Sequence, residues 1–165
     1  MEHPSDRNDD FRYEIEFANE LIELDVYRLL TILYSSKSLH TADIFGFPMM
    51  SWKFELAEIY RIVFNLAIRA RNILDKSNAE IKIISANTTG KLEQNSNTTE
   101  LSFREACNKI IHSEHINFGI IPLINQQLHG GVTEFIYVYG KKGKDQWKAT
   151  INLIQFSDII MRVQI

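Results

Sequence analysis

The chain contains one cysteine, Cys107, in 165 residues. A lone thiol cannot form an internal disulfide, so cysteine usage gives no sign of an oxidising compartment. There is no run of about 18 apolar residues, so no membrane-spanning helix is expected. Met1 to Asp10 is polar and acidic, without the apolar stretch of a signal peptide, and the expected location is the cytoplasm. Neither sign of charge dominates: 18 basic residues stand against 21 acidic ones, for a net charge of -3. That balance argues against a surface that coats nucleic acid throughout, yet leaves room for a local basic patch. No Ser-His-Asp pattern, paired carboxylates or internal repeat stands out. What is present is an ordinary globular composition, 45% hydrophobic, at a length suited to one domain.

The texture divides into a helical front two-thirds and a β-rich final third. Residues 1–10 are expected to be disordered. From Asp10 to Ser35, Ile15, Ala18, Ile22, Leu29 and Leu33 recur at helical spacing. Lys37 to Met50 reads as an apolar connection with Gly46 and Pro48, folding over the core or offering Ile44 to Met50 to a protein partner. Ser51 is the expected cap of a second helix to Lys76, whose apolar face is Leu56, Ile59, Val63, Leu66, Ala70 and Ile73. Glu55, Glu58, Arg61, Arg69 and Arg71 fall on its other side. Ala79 to Ala86 is short strand or helix end. Residues 87–99, rich in asparagine and threonine, read as a mobile surface loop that includes both Asn-Thr-Thr tripeptides.

Ser102-Phe103-Arg104-Glu105 is a capping box, which starts a third helix running through about His112 or Ser113. After it come three strands, near 118–125, 132–139 and 146–154. Pro122 points to an edge position for the first of them. Ser157 would cap a short last helix. The expected fold is α+β in one domain: an antiparallel N-terminal helix pair, a third capped helix, a three-stranded antiparallel meander and a C-terminal helix.

Four-residue spacing places Arg104, Asn108 and His112 on one face of the third helix, and His115 would join them if the helix continued. Phe103, Ala106, Cys107, Ile110 and Ile111 occupy the neighbouring arc as core. A guanidinium can hold phosphate, an imidazole titrates near neutrality and an amide can orient either. RNA carries its own nucleophile, the 2′-hydroxyl, so such a stripe could support cleavage without metal. An exposed helix side with locally bonded histidines has the same pattern.

Asn108-Lys109-Ile110-Ile111-His112, behind a capped amphipathic helix, resembles the motif of HEPN-type domains. The resemblance implies a helical, homodimeric protein, and many such domains are metal-independent ribonucleases. Their motif is an arginine, commonly followed by a polar residue, with a histidine four to six positions beyond the arginine. Asparagine and histidine are in place here, but the arginine position is Cys107. Arg104, one turn earlier, is the expected phosphate clamp, with Asn108 orienting and His112 as general acid or base. In a homodimer the two His112 side chains would meet across a shared cleft. Arg71-Asn72 begins the motif without completing it, since Lys76, Ser77 and Asn78 follow where histidine is needed. The functional expectation is an RNA-directed ribonuclease or RNA-binding module, the alternative a non-catalytic interaction or assembly protein.

Other signals are weaker. His112 and His115 flank Glu114, but His40 and His129 have no spacing that completes a metal site, and no metal or cofactor is expected. Gly140 to Lys144 lacks the spacing of a phosphate loop and lies between strands. Its lysines make a positive hairpin tip that could steer RNA phosphates. Tyr137, Tyr139 and Trp147 alternate at strand period with apolar partners and read as core, with stacking faces for bases as the alternative.

Overall fold

The computed structural model describes residues 6–40, 47–76, 79–122 and 129–163. Two long helices lead: α1, Asp6–His40, and α2, Phe47–Lys76. Each outruns its expected range. Ser51 therefore does not cap α2 but lies buried inside it, and the helix starts instead at Phe47-Pro48, where proline's fixed φ suits a first turn. Of the expected connection, residues 37–40 and 47–50 are helical, and 41–46 are left. These lie outside the described residues, as do residues 1–5, so the partner-patch expectation for Ile44 and Phe45 falls there too.

The helices run antiparallel. Ile22, Val26 and Leu29 of α1 and Ile59, Ile62, Val63, Leu66, Ala67, Ala70 and Leu74 of α2 form the buried seam. Two polar stations interrupt it. Buried Asp25 accepts from Arg61 Nη2 and Arg69 Nη1, each at 3.3 Å. Near the other end, buried Glu55 accepts from Ser36 Oγ at 2.7 Å and lies 3.0 Å from His40 Nε2. Helical periodicity placed Glu55 towards water, but α1 closes over it and supplies both polar partners.

After a short helix, α3, Ala79–Ile84, come the strands β1, Thr88–Gln94, and β2, Asn97–Ser102. The expected mobile loop is thus a β-hairpin, turned at Asn95 and Ser96, both with positive φ as a two-residue hairpin turn requires. Threonine favours extended backbone. Five of the six β2 residues are not buried, so the strand shows almost no hydrophobic alternation.

The third helix is α4, Phe103–Ile111. Then follow β3, His115–Pro122; β4, His129–Lys142; β5, Asp145–Asn152; and α5, Leu153–Val163. The meander is present, but within a five-stranded antiparallel sheet of order β2-β1-β5-β4-β3. The β1–β2 hairpin extends the β5 side, and β3 is the opposite edge. Gly143, at φ 65, supplies the left-handed position of the β4–β5 turn. The last helix is capped by Asn152, whose Oδ1 accepts from Ile154 N and Gln155 N. Ser157 lies buried within α5 and is not its cap.

Helices and sheet share one hydrophobic core. Ile136, Val138, Ala149 and Ile151 of the strands join the α1–α2 seam, and Phe103 of α4 meets Phe156 of α5 at 4.9 Å between ring centroids. All buried positions in the body of β4 and β5 point to the same side, so the helices cover one face of the sheet. No helix among the described residues is long and apolar enough to cross a membrane.

Candidate functional site

The site is assembled on α4. Ser102, in extended conformation, caps it by accepting from Glu105 N at 3.4 Å, while the Glu105 carboxylate accepts from Ser102 N and Oγ. Phe103, Ala106, Cys107 and Ile110 are buried, at the spacing of one helix face. Anchoring that face turns Asn108, Lys109 and the C-cap residue His112 outwards. They line a cleft of about 570 Å³ together with Arg71, Glu105, Lys141, Lys142 and Trp147.

Arg71 reaches the cleft from α2. Its Nη1 donates to Asn108 Oδ1 at 2.8 Å, and its Nε donates to Asp75 Oδ2 at 3.1 Å. Asp75 Oδ1 accepts from Arg104 Nη2 at 2.8 Å. Arg104 is thus held at the outer end of a chain running Arg104–Asp75–Arg71–Asn108 and is absent from the cleft lining. The guanidinium beside Asn108 is Arg71. Sequence spacing set it aside because no histidine follows at the right distance in α2. Its position on the polar side of that helix was the available signal.

The opposite wall comes from the β4–β5 hairpin. Lys109 Nζ sits 4.1 Å from the centroid of the Trp147 ring, a cation–π contact. The Trp147 ring lies against Gly140 on β4, and any side chain at 140 would collide with the ring. Burial against this wall lowers the Lys109 pKa, opposed by the attraction of Glu105. Lys141 Nζ is 3.4 Å from Glu114 Oε2. The lining carries four basic side chains, Arg71, Lys109, Lys141 and Lys142, and one carboxylate, Glu105; Asp75 and Glu114 pair with Arg71 and Lys141 at its rim, so the cleft keeps a local excess of positive charge in a chain of net charge -3.

His112 is exposed at the end of α4, its backbone N–H bonded to Asn108 O, while Ser113 N donates to Ile110 O. Its imidazole has no hydrogen-bond partner among the described residues, which leaves both ring nitrogens open to a ligand. His115 does not join the stripe: α4 ends at Ile111, and His115 begins β3, 2.6 Å from Asn117 Oδ1 through Nε2. Cys107 is fully buried, and burial pushes its thiol up to about 12, far from nucleophilic at neutral pH. A longer side chain at 107 would point into the core, not the cleft. Among the described residues no three His, Cys, Asp or Glu side chains come together as a metal site.

The buried station at Glu55 contains a serine, a histidine and a carboxylate but no relay. Ser51 Oγ, at 3.5 Å, and Glu55 Oε2, at 3.0 Å, both meet the same His40 nitrogen. A catalytic triad needs them on opposite nitrogens and an accessible hydroxyl. Here all three residues are buried.

No family model, curated protein or solved structure matches the chain.

Proposed function

We propose that the α4 cleft holds the phosphate backbone of RNA and that His112 acts on that RNA as a proton-transfer group in metal-independent cleavage. The observation that carries this reading is the convergence of Arg71, Lys109, Lys141 and Lys142 around Asn108 and an unengaged imidazole. Guanidinium and ammonium groups suit phosphate oxygens and stabilise charge that grows on them. The HEPN-type resemblance supports the same roles, with one change: the guanidinium that α4 lacks at Cys107 comes from Arg71 of the neighbouring helix. Cleavage requires a base for the 2′-hydroxyl and an acid for the leaving 5′-oxygen. One chain offers one imidazole in the cleft, so a homodimer that brings two His112 side chains together would supply both.

A second reading is a non-catalytic assembly role. Tyr27 and Tyr34 on α1 and Phe54 on α2 are 69%, 71% and 62% exposed. Such aromatics suit a second copy or a protein partner. The deciding experiment incubates defined RNA with the wild type and His112→Ala in chelator, with light scattering for oligomeric state. Cleavage by the wild type that disappears in a folded His112→Ala protein supports the ribonuclease. RNA binding with no cleavage reduces the function to a binding module. No binding and no cleavage transfers the assignment to assembly.

A further inference from the structure

The sheet has a second face, and its composition differs from that of the cleft. Side chains alternate along a strand. Ile136, Val138, Trp147, Ala149 and Ile151 point to the helices. Their neighbours Tyr137, Tyr139, Lys148 and Thr150 are half-buried on the opposite side, and neither tyrosine packs against the core. The strand register lines these residues up. One row crosses the sheet as Glu93, Lys148, Tyr139 and His115, and the next as Lys91, Thr150, Tyr137 and Asn117.

The two tyrosines are two residues apart on β4, about 7 Å along the strand, far enough for each ring to meet a separate planar group. Lys148 Nζ is 5.5 Å from the Tyr137 ring centroid, and the His115 ring is 6.1 Å from that of Tyr139. Charge on this face is nearly balanced: Lys148 is bonded to Glu93 at 3.1 Å. The face therefore offers rings bordered by polar groups instead of a concentration of cations. A base, with a flat π surface and a polar edge, fits such rows, whereas phosphate fits the cleft.

The two regions are adjacent. A cleft of about 390 Å³ bordered by Glu93, Thr98, Tyr139 and Lys148 opens beside the β1–β2 turn. Trp147 borders both this cleft and the one over α4. The tip of the same β4–β5 hairpin carries Lys141 and Lys142, which give a backbone leaving the α4 cleft a positive route towards the tyrosines.

We propose that the ligand is single-stranded RNA, with phosphates in the α4 cleft and two unpaired bases stacked on Tyr139 and Tyr137; this rests on the RNA reading of that cleft. A duplex keeps its base faces covered and cannot use the tyrosines, so the arrangement selects unpaired strands.

The test is fluorescence anisotropy with a labelled 12-nucleotide oligouridine, an RNA duplex of the same length and an abasic 12-mer. The proteins are wild type, Tyr137→Leu/Tyr139→Leu, Tyr137→Phe/Tyr139→Phe and Arg71→Ala, each checked by circular dichroism and thermal melting. The expected result is tighter binding of oligouridine than of duplex. Affinity for oligouridine should fall by roughly ten-fold or more per tyrosine in the leucine variant. The phenylalanine variant, which keeps the rings, should bind like the wild type, and the abasic strand should not distinguish the tyrosine variants. If the leucine variant binds oligouridine as the wild type does while Arg71→Ala weakens it, the stacking proposal is overturned and the cleft reading stands. If the leucine variant loses affinity but Arg71→Ala does not, the shared path from cleft to sheet is overturned. Wild type that binds no RNA overturns both and leaves the open face to a protein partner.

Discussion

The two ends of α2 carry polar constellations of related chemistry and opposite accessibility. Near one end, Glu55 meets Ser36 and His40. About 24 Å along the helix, Arg71 meets Asn108 beside His112. The first is sealed by α1 and β4, and Ser36 Oγ also accepts from Val132 N. It ties helix to helix and helix to sheet. The second stands at an open cleft where its donors can exchange water for a ligand. A histidine beside polar partners is thus no indicator of function by itself. What separates a structural station from a candidate site is whether unsatisfied groups face solvent. At the buried station the only orphaned polar atom on these partners, Glu55 Oε1, is enclosed.

The largest expected effect tests the sealed end. His40→Ala removes a partner from a buried carboxylate that already has one unbonded oxygen. It should destabilise the fold by about 3 kcal/mol, lowering the melting temperature by roughly 6–12 °C in a domain of this size. An unchanged melting curve would show that the station contributes little to the fold. The open end should behave in the reverse way. Arg71→Ala should leave melting close to wild type and weaken RNA binding about ten-fold. The slope of log affinity against log salt should become shallower by about 0.7. Arg104→Ala, outside the cleft, should leave that slope unchanged. Equal losses in the two arginine variants would erase the distinction between cleft and rim.

The smallest effect concerns pH. Burial lowers the Lys109 pKa, so this lysine sheds its proton before ordinary lysines do as pH rises. RNA affinity should begin to fall while the other lysines are still charged, and Lys109→Arg should remove that early loss. Stability moves the other way. In the window between the depressed pKa and the ordinary one, the unfolded chain binds more protons, so this site's contribution to stability rises with pH. Affinity titrations and melting curves over the same pH series check both signs.

Particular elements show what could be read in advance. The start of α4 was legible to the residue and its end to within about two, because its capping box and its buried positions Phe103, Ala106, Cys107 and Ile110 are local facts. The three meander strands were legible from alternation and turn residues, and β3 was expected at an edge. The β1–β2 hairpin was not: only Leu101 of β2 is buried, and a strand exposed on both sides has no period to display. Ser51 and Ser157 were misjudged as caps because a serine before an apolar run looks the same inside a helix as at its start. All three aromatics read as core, but only Trp147 is in it: Tyr137 and Tyr139 lie on the sheet face away from the helices, because strand alternation groups side chains by face without saying which face the helices cover.

Sequence alone determined the class of fold, the outward position of Asn108 and His112 and the burial of Cys107, because capping and periodicity act over a few residues. Tertiary structure alone decided which cation stands beside Asn108. Arg71 is 37 residues away, and no local pattern relates the two. It also decided that Glu55 would be enclosed, that the β4–β5 hairpin would bring its lysines over α4, and that the described helices would cover only one face of the sheet. Each depends on how α1, α2 and the sheet pack against one another, and long-range packing is set by the joint burial of many side chains that no single segment specifies.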